Sequence, residues 1–226
     1  MCPRQPFFVT FEGLDGSGKS THVRRLHRQL EAAGVESCAT HEPGGTPLGE
    51  GIRGLFLATA AEPPLDGAVE VLLVFASRRQ HLVEVIEPAL AAGRHVLCDR
   101  FTDSTYAYQG WGRGVDLDLI DRVDELATGR RRPDRTLLFD LPPEEAHRRS
   151  QSKRRHEAGT VNRLDREGLE FYGRVREGYL ERVRLDPDRF RVIHSRASTE
   201  ETARQVVVAL ADLLPWVAEE AGARRP

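Results

Sequence analysis

A single α/β domain, with a five-stranded parallel sheet covered by helices on both faces, is the fold predicted for this 226-residue chain. Three observations carry the prediction. Short β-rich runs alternate with longer stretches whose apolar residues recur at helical spacing. The short runs are apolar almost throughout, as strands are when both faces of a sheet are covered. No Pro/Gly/Ser-rich linker divides the chain, so residues 1–226 are taken as one domain, a size one core can serve.

Phe7-Phe8-Val9-Thr10-Phe11 reads as the first strand and runs into a glycine-rich turn. Val23, Leu26, Leu30 and Ala33 then fall at helical spacing, and Gly34 stands where that helix stops. Val35 to Thr40 is a weaker second strand, closed by Glu42-Pro43-Gly44-Gly45-Thr46. Helices are expected from Leu48 to Leu57 and, unbroken, from Asp66 to Ala92. His95 to Cys98 is the third strand, followed by a polar and aromatic loop through Gly114. Leu117 to Thr128 reads as helix and Arg135 to Leu141 as the fourth strand. Pro142-Pro143 then permits a helix start, because proline fits a first turn. Residues 150–162 are polar and without period, which suggests a loop; the segment 145–165 is a candidate lid. Leu164 to Leu185 is helical, Phe190 to His194 is the fifth strand, and a last helix runs from Thr199 to Glu220. Its apolar stripe is Ala203, Val206, Val207, Leu210, Leu213, Leu214 and Val217.

Composition narrows the function. Thirty-three Lys and Arg against thirty-five Asp and Glu lack the basic excess of a nucleic-acid binder. No apolar stretch is long enough to cross a bilayer, and no signal peptide is visible. Cys2, Cys38 and Cys98 are odd in number and widely spaced, which suggests neither a disulfide framework nor a zinc site. A soluble cytoplasmic protein is expected. Only Lys19 and Lys153 are lysines, so an arginine is uninformative by identity and a lysine is a rarer choice.

Lys19 falls in Gly13-Leu14-Asp15-Gly16-Ser17-Gly18-Lys19-Ser20, which fits G-x-x-x-x-G-K-S/T between a strand and a helix. Its glycines let backbone N–H groups turn inward as an anion nest, and the helix N-terminus adds a favourable dipole. Lys19 reaches the β- and γ-phosphates in such a loop, and the Ser20 hydroxyl ligates Mg²⁺. Gly13, Asp15, Gly16, Ser17, Gly18, Lys19, Ser20 and Thr21 are therefore the ATP-binding candidates. Asp99 ends an apolar strand, where it holds a magnesium shell or simply caps a turn. Arg100 beside it points at an anion or at solvent. Glu42-Pro43-Gly44-Gly45-Thr46 is a ligand loop or a plain turn. Ser104, Tyr108 and Gln109 contact a base or sugar, or pack in the core. Phe75 stacks on a base with an arginine one turn on, or is ordinary core. Arg148, Arg149, Lys153, Arg154, Arg155 and Arg163 form a solvated face or a basic loop closing over phosphates.

Taken together, the ordered motifs resemble the thymidylate kinase family. The resemblance runs from Phe8 to about Leu214. It rests on Phe11 to Thr21, Glu42 to Thr46, Asp99-Arg100-Phe101, Ser104 to Gly110, Gly112-Arg113-Gly114, Arg132-Pro133-Asp134 and Asn162-Arg163-Leu164-Asp165. It implies a three-layer P-loop NTPase-like fold and a homodimer. The implied reaction moves the γ-phosphoryl group of Mg-ATP to dTMP, giving dTDP. Asp15 would bind the sugar 3′-hydroxyl, and Arg100 and Arg53 the acceptor phosphate. Glu42 and Pro43 would stand beside the acceptor, Ser104 and Gln109 near the thymine, and Tyr108 against the 2′ position. Phe75 and Arg78 are chosen as stacking and base-reading residues. On the family's usual spacing Val74 takes the aromatic place instead, and Arg79 is the other base-reading candidate. Gly16 lacks the arginine that one branch of the family carries, so a lid arginine should be catalytic. Arg163 is the first choice, with Arg149 and Arg155 behind it. Rival readings are a kinase of another pyrimidine nucleotide (dUMP or UMP) and a non-catalytic nucleotide-binding protein; the guanine-reading Asn-Lys-x-Asp of a GTPase is absent.

Overall fold

A computed structural model describes residues 5–58, 65–152 and 163–214 in full, and the backbone of 153–157. Five parallel strands form one sheet: β1 (Phe8–Glu12), β2 (Ser37–His41), β3 (His95–Asp99), β4 (Arg135–Asp140) and β5 (Phe190–His194). Their order across the sheet is β2-β3-β1-β4-β5. Phe11 stands opposite Asp99 on one side and Leu137 on the other, so β1 lies at the centre. The chain leaves β1 toward one edge and later crosses to the other. Ligands of such sheets bind at that switch point, beyond the strands' carboxyl ends.

The strands alternate between two apolar layers. Val9 and Phe11 of β1, with Leu97, Leu137 and Phe139, pack on Val23, Leu26 and Leu30 of α1 (Lys19–Ala32). Val206, Val207 and Leu210 of the last helix and its following turn cover the same face. On the other face Phe8, Val96 and Cys98 pack against Leu82, Ile86 and Phe101. The predicted three layers hold.

Helix starts follow local chemistry. Thr46 caps α2 (Pro47–Leu57) by accepting from Gly49 N at 2.9 Å, with Pro47 in the first turn. Asp66 caps α3 (Gly67–His81) through Ala68 N at 2.8 Å. Asp116 does the same for α6 (Leu117–Thr128).

Five expectations need correction. The helix expected over 66–92 is α3, a wider π-turn at Leu82–Ile86, and then α4 (Glu87–Ala91). Pro88 has no N–H to return to Glu84, so the ladder widens there. The loop expected after β3 is helical instead: α5 (Thr102–Thr105) continues into a π-turn at Tyr106–Gly112. Gly112 lets this segment press onto α8 (Leu169–Leu185), where a Cβ would stand 2.7 Å from Phe171 and 2.9 Å from Val175. The loop expected at 150–162 is helix as far as Glu157, because α7 spans Pro143–Glu157. An exposed polar helix needs no apolar stripe, and Glu145 with Arg149 makes the helical i,i+4 pair. Residues 158–162 lie outside the described chain. Finally, Leu164–Arg166 is a separate 3₁₀ turn before α8, and α9 is Thr199–Ala209, with the described chain ending at residue 214.

Candidate active site

The phosphate loop leaves β1 at Glu12 and enters α1 at Lys19. Gly16 has φ 87°, and a Cβ there would lie 2.3 Å from the carbonyl oxygen of Ala146 in α7. No side chain fits between the loop and α7 at this point. Lys19 is buried and donates to Leu14 O at 2.8 Å. Burial and the nearby Arg100 charge pull its ammonium down to about 8, against Asp99, Asp15 and Glu12, which oppose the shift. Ser20 Oγ donates to Asp99 Oδ2, which joins the first turn of α1 to the end of β3. The hydroxyl and carboxylate are hard oxygen donors beside the loop, a set that suits Mg²⁺, which keeps much of its water.

Arg100 follows β3 with φ 74°, a left-handed backbone that a non-glycine residue rarely adopts. This conformation turns its side chain into the site. Its Nη2 donates to Asp15 Oδ1 at 2.8 Å and to Tyr108 OH at 3.1 Å. Its Nη1 donates to Ser104 Oγ and Tyr179 OH, both at 3.0 Å. Burial raises Asp15, but Arg100 and Lys19 outweigh it and bring the carboxylate down to about 2. Behind this group stands Glu12, fully buried. It accepts from Phe101 N at 2.7 Å, Ser104 Oγ at 2.5 Å and Tyr179 OH at 3.0 Å. Burial and the Asp103 charge lift its carboxyl to about 7, despite Arg100.

A cavity of about 460 Å³ runs from this loop to the far end of the site. Its walls include Lys19, Ser20 and Thr21 from the start of α1, Arg100 after β3, and Val74, Arg78 and Gln109 from α3 and the π-turn at Tyr106–Gly112. Glu42, Pro43, Arg53, Ser104 and Tyr108 also line it, and Arg53 Nη1 donates to Pro43 O at 2.8 Å. Arg78 is held by Glu42 Oε2 at 2.7 Å and Phe101 O at 3.0 Å. Its Nη1 is buried and has no hydrogen-bond partner among the described residues. Glu42 also meets His81 Nδ1 at 2.9 Å, and Thr40 Oγ1 lies 2.6 Å from His81 Nε2.

Two placements differ from expectation. Phe75 does not line the cavity; it is in the core, with its ring 4.5 Å beneath the Arg78 guanidinium. Val74 takes the wall position, since a helix turns 100° per residue and only one of two neighbours can face inward. Arg79 points away and reaches Ala127 O at 3.4 Å. Arg163 also turns from the cavity. It donates to Phe56 O and Glu70 Oε1, both at 2.6 Å, because Glu70 is fully buried and needs cationic partners. Of the other lid arginines, Arg149 does reach the cavity and joins Ser195 O at 2.8 Å to Glu145 Oε1 at 2.5 Å. The side chain of Arg155 lies outside the described residues. Glu12 was missed by sequence reasoning, although an acid ending an apolar strand is a visible signal. Tyr179 and Glu70 gave no local signal.

A phosphate loop at the switch point of a parallel sheet, opening into a cavity that Arg53, Arg78 and Arg100 also line, defines a P-loop kinase of small nucleotides. Comparison with known proteins narrows the class. The family model for thymidylate kinase matches residues 11–206. A thymidylate kinase of Pseudomonas syringae pv. syringae strain B728a is 47% identical over 212 residues, covering 94% of this chain and 96% of that one. One from Pseudomonas fluorescens strain Pf0-1 is 50% identical over 183 residues, 81% of this chain and 84% of its own length. The crystal structure of thymidylate kinase from Ehrlichia chaffeensis superposes with a TM-score of 0.72 at 36% identity, over 91% of this chain and 98% of that one. The chain belongs to the thymidylate kinase family.

Proposed function

We propose that the protein transfers the γ-phosphoryl group of Mg-ATP to dTMP, giving dTDP and ADP for dTTP biosynthesis. One observation carries the reading: Arg100 lines the same cavity as the phosphate loop and as Val74, Arg78 and Gln109. Two polyanions must be brought together in line, so positioning and charge neutralisation are the chemistry required. Lys19 and the loop amides hold the donor phosphates. Arg100 and Arg53 hold the acceptor phosphate, and Asp15 the sugar hydroxyl. Ser20 and Asp99 would hold Mg²⁺, which supplies charge neutralisation between the donor phosphates.

The far end has the polarity of thymine. Arg78 Nη1 is an unused donor, suited to the O4 carbonyl. Gln109 offers an acceptor for N3–H, because its Nε2 is committed to Glu70 at 2.9 Å. Among the lid arginines whose side chains are described, Arg149 is the one that lines the cavity, and the lid, residues 145–165 of a single kinase domain, closes over the site to exclude water. Leu55 on α2, Leu72 on α3 and Leu126 on α6 are 65%, 58% and 84% exposed on helices that pack together. That apolar surface supports a homodimer. Cys38 and Cys98 are unpaired thiols, which fits a reducing cytoplasm.

The test is ADP production from Mg-ATP with dTMP, dUMP, UMP, dCMP and dGMP as separate acceptors, alongside Lys19→Ala and Arg100→Ala. Turnover with dTMP, lost in both variants, is expected. Turnover only with another acceptor discards the base reading, and silence with every acceptor discards the enzyme.

A further inference from the structure

We infer that Glu70, which does not touch the cavity, sets the choice between thymine and cytosine by fixing which end of the Gln109 amide faces the base. The inference rests on the placement of the base proposed above. Glu70 lies in α3 and is fully buried. Its two oxygens are used differently. Oε1 receives Arg113 Nε at 3.1 Å and Arg163 Nη1 at 2.6 Å. Oε2 receives Gln109 Nε2 at 2.9 Å.

A carboxylate held by two guanidinium groups has only acceptors to offer. The amide of Gln109 must therefore meet it with the NH₂ end. Its oxygen is then the polar atom left for the cavity that Gln109 lines. An acceptor there suits the N3–H of thymine and opposes the bare N3 of cytosine. With the Arg78 guanidinium as a donor on the same cavity, the lining offers a donor and an acceptor, the complement of O4 and N3–H. Gln109 alone would not enforce this, because an amide turned over exchanges its donor for its acceptor at almost no steric cost. Glu70 is what makes the two orientations unequal. It is a positioning residue for specificity, acting through Gln109.

Glu70→Gln tests this without changing the size of the side chain. The two arginines still demand an acceptor at the Oε1 place, so the new amide nitrogen falls at the Oε2 place, facing Gln109. Two NH₂ groups cannot meet, and Gln109 turns its oxygen outward to the substituted side chain. Its NH₂ then enters the cavity, against thymine N3–H and toward cytosine N3. The readout is the ratio of kcat/KM for dTMP to kcat/KM for dCMP, which a general loss of folding or rate does not move. The ratio should fall by about 10- to 100-fold, the discrimination carried by one base-edge contact pair.

A wild-type enzyme that prefers dTMP, with a variant whose ratio is unchanged, overturns the role of Glu70 and leaves the base reading standing. A wild-type enzyme without preference for dTMP over dCMP removes the base reading, and this inference with it. Should Glu70→Gln not fold, the orientation is read in the wild-type protein by ¹⁵N-labelled glutamine amides, with Gln109 assigned from Gln109→Leu. Its NH₂ protons should stay slow to exchange and unshifted when dTMP binds. Protons that move onto the nucleotide would overturn the proposal.

Discussion

Arg100 Nη2 lies 2.8 Å from Asp15 Oδ1, and the two residues come from the ends of neighbouring strands, on the loop after β1 and directly after β3. Asp15 is partly open to the cavity, with 43% of its side chain exposed, while Arg100 is nearly enclosed. Removing Arg100 leaves Tyr108, Tyr179 and Ser104 without their common donor. Arg100→Lys keeps the charge but not the fork that serves four partners. The expected result is a loss of at least about tenfold in kcat/KM for dTMP, roughly 1.4 kcal/mol or more, with KM for ATP little changed. Steady-state kinetics with each substrate varied separately decides it.

Lys19 carries a pH prediction. Its ammonium, pulled down to about 8, is charged below that pH and neutral above it. In the free enzyme kcat/KM for ATP should therefore fall as pH rises through about 8. Bound polyphosphate restores the charge, so kcat at saturating ATP should hold to higher pH. A single pH profile shared by both parameters would contradict this.

Glu12 carries a stability prediction. Its folded carboxyl, raised from 4.5 to about 7, binds a proton that the unfolded chain has released between those values. Stability contributed by the group is thus present at pH 4 and lost as pH rises toward 7. Glu12→Gln keeps an acceptor for Phe101 N and does not titrate. Its stability relative to wild type should improve between pH 4.5 and 7.5 by on the order of 3 kcal/mol, read from denaturant unfolding at each pH.

Gly16→Ala should separate lid from loop. The left-handed backbone alone costs an alanine about 1–2 kcal/mol, and its Cβ would press on Ala146 O. KM for ATP should rise several-fold or more, while the far end of the cavity still binds dTMP in a calorimetric titration.

Val74 and Phe75 should behave as opposites. Phe75→Ala opens a hole in the core and should cost about 3–5 kcal/mol of stability. Val74→Phe adds a ring to the cavity wall instead, and should lower KM for dTMP with little change in unfolding. Parallel thermal and kinetic measurements distinguish core from wall.

Local features were legible in the sequence and distant partnerships were not. The phosphate loop, the apolar strands and the Asp99-Arg100 step are each written within a few adjacent residues. Phe75 and Val74 differ by one place in a helix whose apolar residues run almost all round, so periodicity could not say which faced the cavity. Glu12 and Tyr179 are 167 residues apart and meet only in the folded chain. Glu70 shares no motif with Gln109 or Arg163, and its buried charge had no partner visible nearby. The π-turn at Tyr106–Gly112 looked like a loop because its glycines, which permit close helix packing, resemble turn residues.

The pairing of Phe11 with Asp99 has a mechanical consequence. The phosphate loop and Arg100 hang from adjacent rungs of one hydrogen-bonded ladder, so their spacing is as stiff as the sheet itself. Insertions in the outer connections leave that spacing alone. One extra residue within β1 or β3 would slide the two anchors past each other by about 3.3 Å, a full step of misalignment that no motion of the lid could recover.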